Sequence, residues 1–452
     1  MADRSRSFTV RPLRMVAVAA TGTLVAATLT ACGSGSGDSK TTLVVAQWTN
    51  AAAVEQTKKY NQAFEQAHPD VEIKMQTAPT ANNAWPTLQN SLLASKRVDV
   101  LAQFAKSPSD FPPESTGIKV QGTATLIASN QFVDLSDQPF MKRFDPNQHV
   151  MEYKGGTYGV MTSAYVNNTG LFYKKDLLDK YGLKVPTTFD EFIDVLKTFK
   201  SKGKSGIFVA GKDGYQNIVW AGIVNQLLME GKPAGEANSV YTKRAEQFYK
   251  GEQNWTDPLY KDASDRYQQI MKYIEPNASG VPAQTAPGVW ASNKDDFPFF
   301  VDGSYDGNTI AQANPGLNFG FFAVPGTDDA AWNRPAIAPD LAWTVPVSSK
   351  QQKLALEYLD FITQKDNYAQ WVKATGSLST QPGVPTPNLK WTDWLSQNAD
   401  NGYINASNPW TPADAAEVAD GPQTQDNAPF GHKSWDKALS ECANAYTASV
   451  KK

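Results

Sequence analysis

Three short apolar segments separated by two amphipathic ones open the body of the chain, and this alternation restricts the fold more than any other feature. Residues 42–48, TLVVAQW, read as a buried strand. Ala53, Thr57, Tyr60, Phe64 and Ala67 then recur at helical spacing up to His68-Pro69. Val71, Ile73 and Met75 alternate with polar residues, 85–95 reads as a second helix, and 98–101 (VDVL) as a third strand. Strand, helix, strand, helix, strand predicts parallel pairing through right-handed crossovers, the α/β class. In such sheets ligands gather beyond the carboxyl ends of the strands. Trp48 and Thr49 fall at the first of these ends, Gln103 and Phe104 at the third.

A second unit of the same class begins near the middle. Residues 171–173 (LFY) form a short strand, and Thr188 with Glu191 three positions on fits a capping box. Phe192, Val195, Leu196 and Phe199 make the apolar stripe of the helix that follows. Residues 205–210 return as a strand and open into Gly211-Lys212-Asp213-Gly214-Tyr215. With 452 residues the chain exceeds what one hydrophobic core usually supports, so two domains are expected.

The amino terminus carries an address. Arg4, Arg6, Arg11 and Arg14 precede an uncharged run, 15–31, the plan of a secretory signal. The run is short for a membrane span, which needs about 20 apolar residues. Leu29-Thr30-Ala31-Cys32 resembles the bacterial lipobox, in which the cysteine is acylated and the chain is cut just before it. A leader over 1–31, a lipid on Cys32 and a Gly/Ser tether over 32–41 imply anchoring at the outer face of the cell membrane.

Composition narrows the chemistry. Net charge is −3 and the body contains no basic block, which argues against a nucleic-acid partner. After lipidation only Cys442 remains, so no internal disulfide can form, and burial as a small hydrophobe is its expected state. His68, His149 and His432 lack ligand spacing, so no metal and no cofactor is expected. Neither G-x-S-x-G nor H-E-x-x-H occurs, and Gly203-Lys204-Ser205 lacks the leading glycine of a phosphate loop because position 198 is Thr. Aromatic residues make up 11% of the chain, many of them beside Gly, Asn or Asp, where they can stack on a ligand.

Three stretches, in order, carry a family resemblance: TYGVMTSAYVNNTGLFYKKDLLDKYGLKVPTTFDEFIDVLKTFKSKGKSGIF, DDFPFFVDGSYDGNTIAQANPGLNFGFFAVPG and VPVSSKQQKLALEYLDFITQKDNYAQWVKATGSLSTQPGV. Together with the earlier HPDVEI they resemble the sugar-type extracellular solute-binding proteins of ABC transporters. The resemblance implies two α/β lobes with an interlobe cleft, a monomer that is not an enzyme, a sugar or oligosaccharide as ligand, and permease subunits as partners. It places the first lobe at 42–158, the second at 159–342, a return segment at 343–383 and a carboxyl-terminal helical segment on the second lobe at 384–452. The hinge crossings then fall near Tyr158-Gly159-Val160 and between Leu341 and Val347. On this plan the ligand-binding residues are Trp48, Thr49, Gln103, Phe104, Tyr165, Asn167, Tyr215, Trp220, Tyr305, Asp306 and Asp340. One of Trp391, Trp394 and Trp410 is a further candidate, although core anchoring is the favoured expectation for each of them. Lys174 replaces the family's Asn, Asp295-Asp296-Phe297-Pro298 its Gly-Lys-Ala-Ala, Met161 a proline, and Tyr305 a tryptophan. A secreted glycoside hydrolase, and a carrier of peptide or polyamine, remain open at this point.

Overall fold

The computed structural model describes residues 40–80, 83–120, 122–145, 150–166, 169–398, 401–405, 409–412 and 415–450. The leader, Cys32, most of the tether and Asn167 lie outside them. In the first lobe the strand Thr41–Trp48 lies between Val71–Ala78 and Val100–Phe104, parallel to both. Leu341–Thr344 then runs antiparallel to Val100–Phe104, and Val160–Met161 closes the edge. The helix Ala51–Ala67 starts where the Asn50 side chain accepts from the Ala53 amide at 3.0 Å. It buries Tyr60 and Phe64 against Trp371 and Tyr358 of the helices Lys365–Thr375 and Gln352–Ile362, with ring centroids 6.2 and 5.3 Å apart.

The second lobe is built on a four-stranded sheet. Gly170–Lys174 lies between Phe319–Ala323 and Phe299–Val301, antiparallel to each, and Ile207–Val209 runs parallel on the far side. Strand alternation sends Leu171 and Tyr173 into one apolar cluster and Phe172 into another. The helix Phe189–Ser201 starts as expected, with Thr188 Oγ1 accepting from the Glu191 amide at 3.2 Å. Glu191 Oε2, however, accepts from the Thr187 amide, one residue earlier than a capping box requires. The final helix Trp435–Val450 packs on the lobe through Trp435, whose ring lies 5.1 Å from that of Trp220. It buries Cys442, where burial pushes the thiol up to about 12 and leaves scarcely any reactive thiolate.

A small sheet joins the lobes: Ala164–Tyr165 and Tyr403–Ile404 flank Ala336–Pro339. The crossings sit a few residues from where the resemblance puts them. Val160–Met161 and Leu341–Thr344 are bonded into the first-lobe sheet, so the chain leaves through 162–166 and returns through 336–340. A third passage follows the helix Lys365–Thr375. There Leu378 bridges to Ala164 and Thr380 Oγ1 donates to the Met161 carbonyl at 2.8 Å.

Candidate functional site

A cavity of about 530 Å3 lies where the carboxyl edge of the first sheet faces the second lobe. Trp48 and Phe104 end the adjacent parallel strands, so their rings meet face to face, with centroids 4.3 Å apart at 19°. Trp85 backs Trp48 edge-on at 6.0 Å, which leaves Trp48 buried and Phe104 42% exposed to the cavity. Opposite them Tyr165 and Tyr305 form an edge-to-face pair at 6.2 Å and 87°. Thr49, Tyr215, Asp306 and Asp340 line the same space. So do Asn50, Asp213, Asn217 and Trp371, which the sequence reading did not single out as ligand contacts. Asp213 and Asn217 flank Tyr215 in a loop already marked by its glycines, a signal that could have found them.

Two expected residues stand elsewhere. Gln103 is buried, and its Oε1 accepts from Thr123 Oγ1 at 3.0 Å. Strand alternation turns it away from the face that Phe104 presents. Trp220 belongs to the helix Asn217–Met229 and lines a neighbouring cavity instead. Asn167 lies outside the described residues. Of the three late tryptophans, Trp391 is buried against Phe172 at 6.0 Å, and Trp410 lines the same neighbouring cavity as Trp220.

The short turn Ser304–Asp306 is held from both sides. The Ser304 amide donates to the Val166 carbonyl at 2.9 Å, and the Val166 amide returns a bond to Ser304 Oγ at 3.1 Å. The next residue must be glycine, because a Cβ on Gly307 would stand 2.1 Å from the Trp391 ring. Sequence reading missed Asp302, just upstream and fully buried. Its Oδ1 accepts from the Gly303 amide at 2.7 Å, and Tyr305 and Asp306 stand against the same carboxyl. Burial first, and then the neighbouring Asp306, push the Asp302 carboxyl well above the usual range; burial raises Asp306 too. Two acids in one dry place therefore favour sharing a proton. Burial pushes Tyr215 up to about 12 and raises Tyr305 as well, so both remain hydroxyl donors at neutral pH. Asp340, in the return crossing, is pushed up to about 7 by burial.

No lysine or arginine among the described residues lines this cavity. Among the described residues no cluster of three His, Cys, Asp or Glu could hold a metal ion. Flat rings on two walls, with carboxylates and hydroxyls between them, suit reversible binding of a small polar molecule by shape and hydrogen bonds.

Two lobes, three closely spaced crossings and an aromatic cleft define the class of solute-binding receptor. The chain belongs to the family of bacterial extracellular solute-binding proteins, whose model matches residues 59–402. It is 27% identical to the melibiose/raffinose/stachyose-binding protein MelE of Bacillus subtilis over 54% of this chain, spanning just 55% of that relative. It is 23% identical to a multiple sugar-binding protein of Streptococcus mutans over 77% of this chain and 81% of the relative. Among solved structures it resembles RafE in complex with raffinose, with a TM-score of 0.67 at 20% identity over 91% of this chain and 99% of the other. It also resembles a sugar transporter protein of Bacillus licheniformis in complex with stachyose, with a TM-score of 0.65 at 18% identity over 91% and 100%.

Proposed function

We propose that this protein captures a neutral sugar or oligosaccharide between its lobes and hands it to the membrane subunits of an ABC importer. One observation carries the reading: two aromatic pairs, Trp48–Phe104 from the first lobe and Tyr165–Tyr305 from the hinge and the second lobe, face a single cavity edged by Asp213, Asp306 and Asp340. A pyranose has apolar C–H faces for the rings and a hydroxyl rim for the acids. Each stacked face contributes about 0.5–1.5 kcal/mol beyond area burial, and each neutral hydrogen bond about 1 kcal/mol. Ligand touching both lobes favours the closed arrangement, because only that arrangement makes both sets of contacts. The names of MelE and the Streptococcus mutans relative, and the raffinose and stachyose in two structural neighbours, support a carbohydrate ligand.

Acylation at Cys32 would hold this receptor on the outer face of the membrane, beside its permease, with no enzymatic step required. Calorimetry over a panel of neutral sugars, with the sugar recovered and analysed afterwards, tests the function. Saturable binding with the sugar intact is expected; hydrolysed product, or binding only of peptides or polyamines, would overturn it. Lipidation is read separately, as incorporation of labelled palmitate that disappears in Cys32→Ala.

A further inference from the structure

We infer that the first-lobe loop 105–120 is a strap that holds the two lobes together through the protein's own contacts, so that closure does not depend on ligand alone. This goes beyond the carrier reading above and is independent of what the ligand is. The strap is anchored where it leaves the strand Val100–Phe104. The Ala105 amide donates to the Asp340 carbonyl at 2.7 Å, and the Lys106 carbonyl accepts from the Met151 amide at 2.6 Å. Its course is then stiffened locally. Ser107 and Asp110 close a capping box around the short turn Pro108–Asp110, with the Ser107 amide donating to Asp110 Oδ2 at 2.8 Å. Pro112 and Pro113 each fix a φ angle beyond the turn. Phe111 packs on Tyr153 with ring centroids 5.0 Å apart, and Glu114 pairs with Lys154. The strap and the hairpin of Glu152–Tyr153 and Gly156–Thr157 are therefore one first-lobe piece.

What this piece grips belongs to the other lobe. The helix Ala237–Tyr249 packs on the turn Pro108–Asp110, and Tyr249 Oη donates to the Thr116 carbonyl at 3.3 Å. Trp410 Nε1 donates to the Ser109 carbonyl at 2.8 Å, and both residues are buried. Trp410 is fixed to its own side, because its carbonyl accepts from Tyr446 Oη of the final helix at 3.0 Å. The Tyr446 ring in turn lies 5.4 Å from that of Phe248. The indole cannot follow the strap, so lobes that part here must pull Ser109 off Trp410 and Thr116 off Tyr249. These contacts border the neighbouring cavity of about 720 Å3, which is lined by Lys106, Ser109 and Pro112 on one side and Arg244 and Trp410 on the other. Among the described residues none of 162–166 or 336–340 lines that cavity, whereas Ser163, Tyr165 and Asp340 line the hinge-side one. A contact at the crossings could pivot as the lobes part; a grip set away from them has to break. Its breaking returns apolar surface of Trp410 to water, which favours the strapped form. A receptor held closed in this way loses less affinity to its own open form, since the apparent Kd is the intrinsic one divided by the competent fraction.

Small-angle X-ray scattering of the ligand-free full chain, fitted as a mixture of closed and parted lobes, tests the inference. The wild type is expected to be mainly closed. Trp410→Phe keeps a ring and removes the N–H, and should lower the closed-to-parted ratio about fivefold, one neutral hydrogen bond of about 1 kcal/mol. Tyr249→Phe removes the longer, half-buried bond and should lower the ratio about twofold, and the two changes together about tenfold. Tyr249→Phe trims a single hydroxyl, so it decides the question alone where Trp410→Phe does not fold. Parted lobes in the wild type, or a ratio that neither variant moves, would overturn the strap and leave the sugar reading standing. A sugar panel that fails to bind would overturn that reading and leave the strap.

Discussion

The two walls of the hinge-side cavity present rings to the same space by different means. The first-lobe wall is Trp48 on Phe104, two apolar rings at strand ends backed by Trp85, with no titratable group among them. The second-lobe and hinge wall is Tyr165, Tyr215 and Tyr305 beside Asp302, Asp306 and Asp340, and every one of these ionisable groups is shifted upward by burial. One wall can contribute contact area and face complementarity. The other contributes directed hydrogen bonds, at the cost of acids held where water is scarce. A receptor built this way draws affinity from both sides, while its sensitivity to pH comes from one.

The largest expected consequence is therefore a stability effect confined to the acidic side. Asp340 rises from an ordinary value near 3.8 to about 7 on folding. Between those values the folded protein holds a proton that the unfolded chain has lost, so stability falls as pH rises. The limiting slope is about 1.4 kcal/mol per pH unit, or up to roughly 4 kcal/mol over the whole window. Above pH 7 the buried Lys174 acts in the opposite sense. Its ammonium is lowered to about 7 by burial, so from there to its ordinary value near 10.5 the unfolded chain binds the extra proton and stability recovers. Urea unfolding of the ligand-free protein is expected to show a trough near pH 7. Asp340→Asn should make the acid limb shallower, leaving the part that the raised Asp302 and Asp306 carry. Lys174→Met should remove the alkaline limb, while Phe104→Ala keeps both. A flat profile in the wild type would erase the distinction between the walls.

Next in size is Asp306→Ala. A carboxylate accepting from sugar hydroxyls contributes about 1.5–3 kcal/mol, so affinity should fall about thirtyfold in calorimetry. Tyr305→Ala follows, with an expected loss of about tenfold from the missing ring face and hydroxyl. Its apo melting temperature should stay nearly unchanged, since Tyr305 is not part of either buried apolar cluster. Unaltered affinity in Tyr305→Ala would remove the second wall from the site.

The first wall was also the more legible in the sequence, for a physical reason. Strand and helix periods in 42–101 place Trp48 and Phe104 at carboxyl ends with no tertiary information needed, and pairing merely has to be parallel. The same periodicity, applied one residue too generously, drew in Gln103, because a strand end does not say which parity faces the cleft. The Asp302–Asp306 pair was not readable, since an acid in the turn VDGSYD looks exposed until the fold buries it. Two departures from the family pattern proved to be one unit. Lys174 Nζ donates to the carbonyls of Asn293 and Asp296 and stands 4.7 Å from the Trp290 ring centroid, so the changed residue and the changed loop answer each other. The stretch 384–434 has no sustained period, and its contribution of Trp410, Gly421 and Thr424 to the neighbouring cavity appears only when the chain is folded.

The smallest effect separates stacking from shape. Phe104 is 42% exposed and covers Trp48 from the cavity side, so Phe104→Ala removes one ring face from the ligand's path and little from the core. About a fivefold loss of affinity is expected, within the roughly 0.5–1.5 kcal/mol of one aromatic contact, and it should be the same at pH 6 and pH 8 because no first-wall group titrates. Phe104→Leu, which restores area without a π-face, should recover little of it if the ring stacks on a sugar and most of it if the side chain only excludes water. A loss that exceeded that of Tyr305→Ala, or that changed with pH, would reverse the ranking of the walls and make the Trp48–Phe104 pair the principal grip on the ligand.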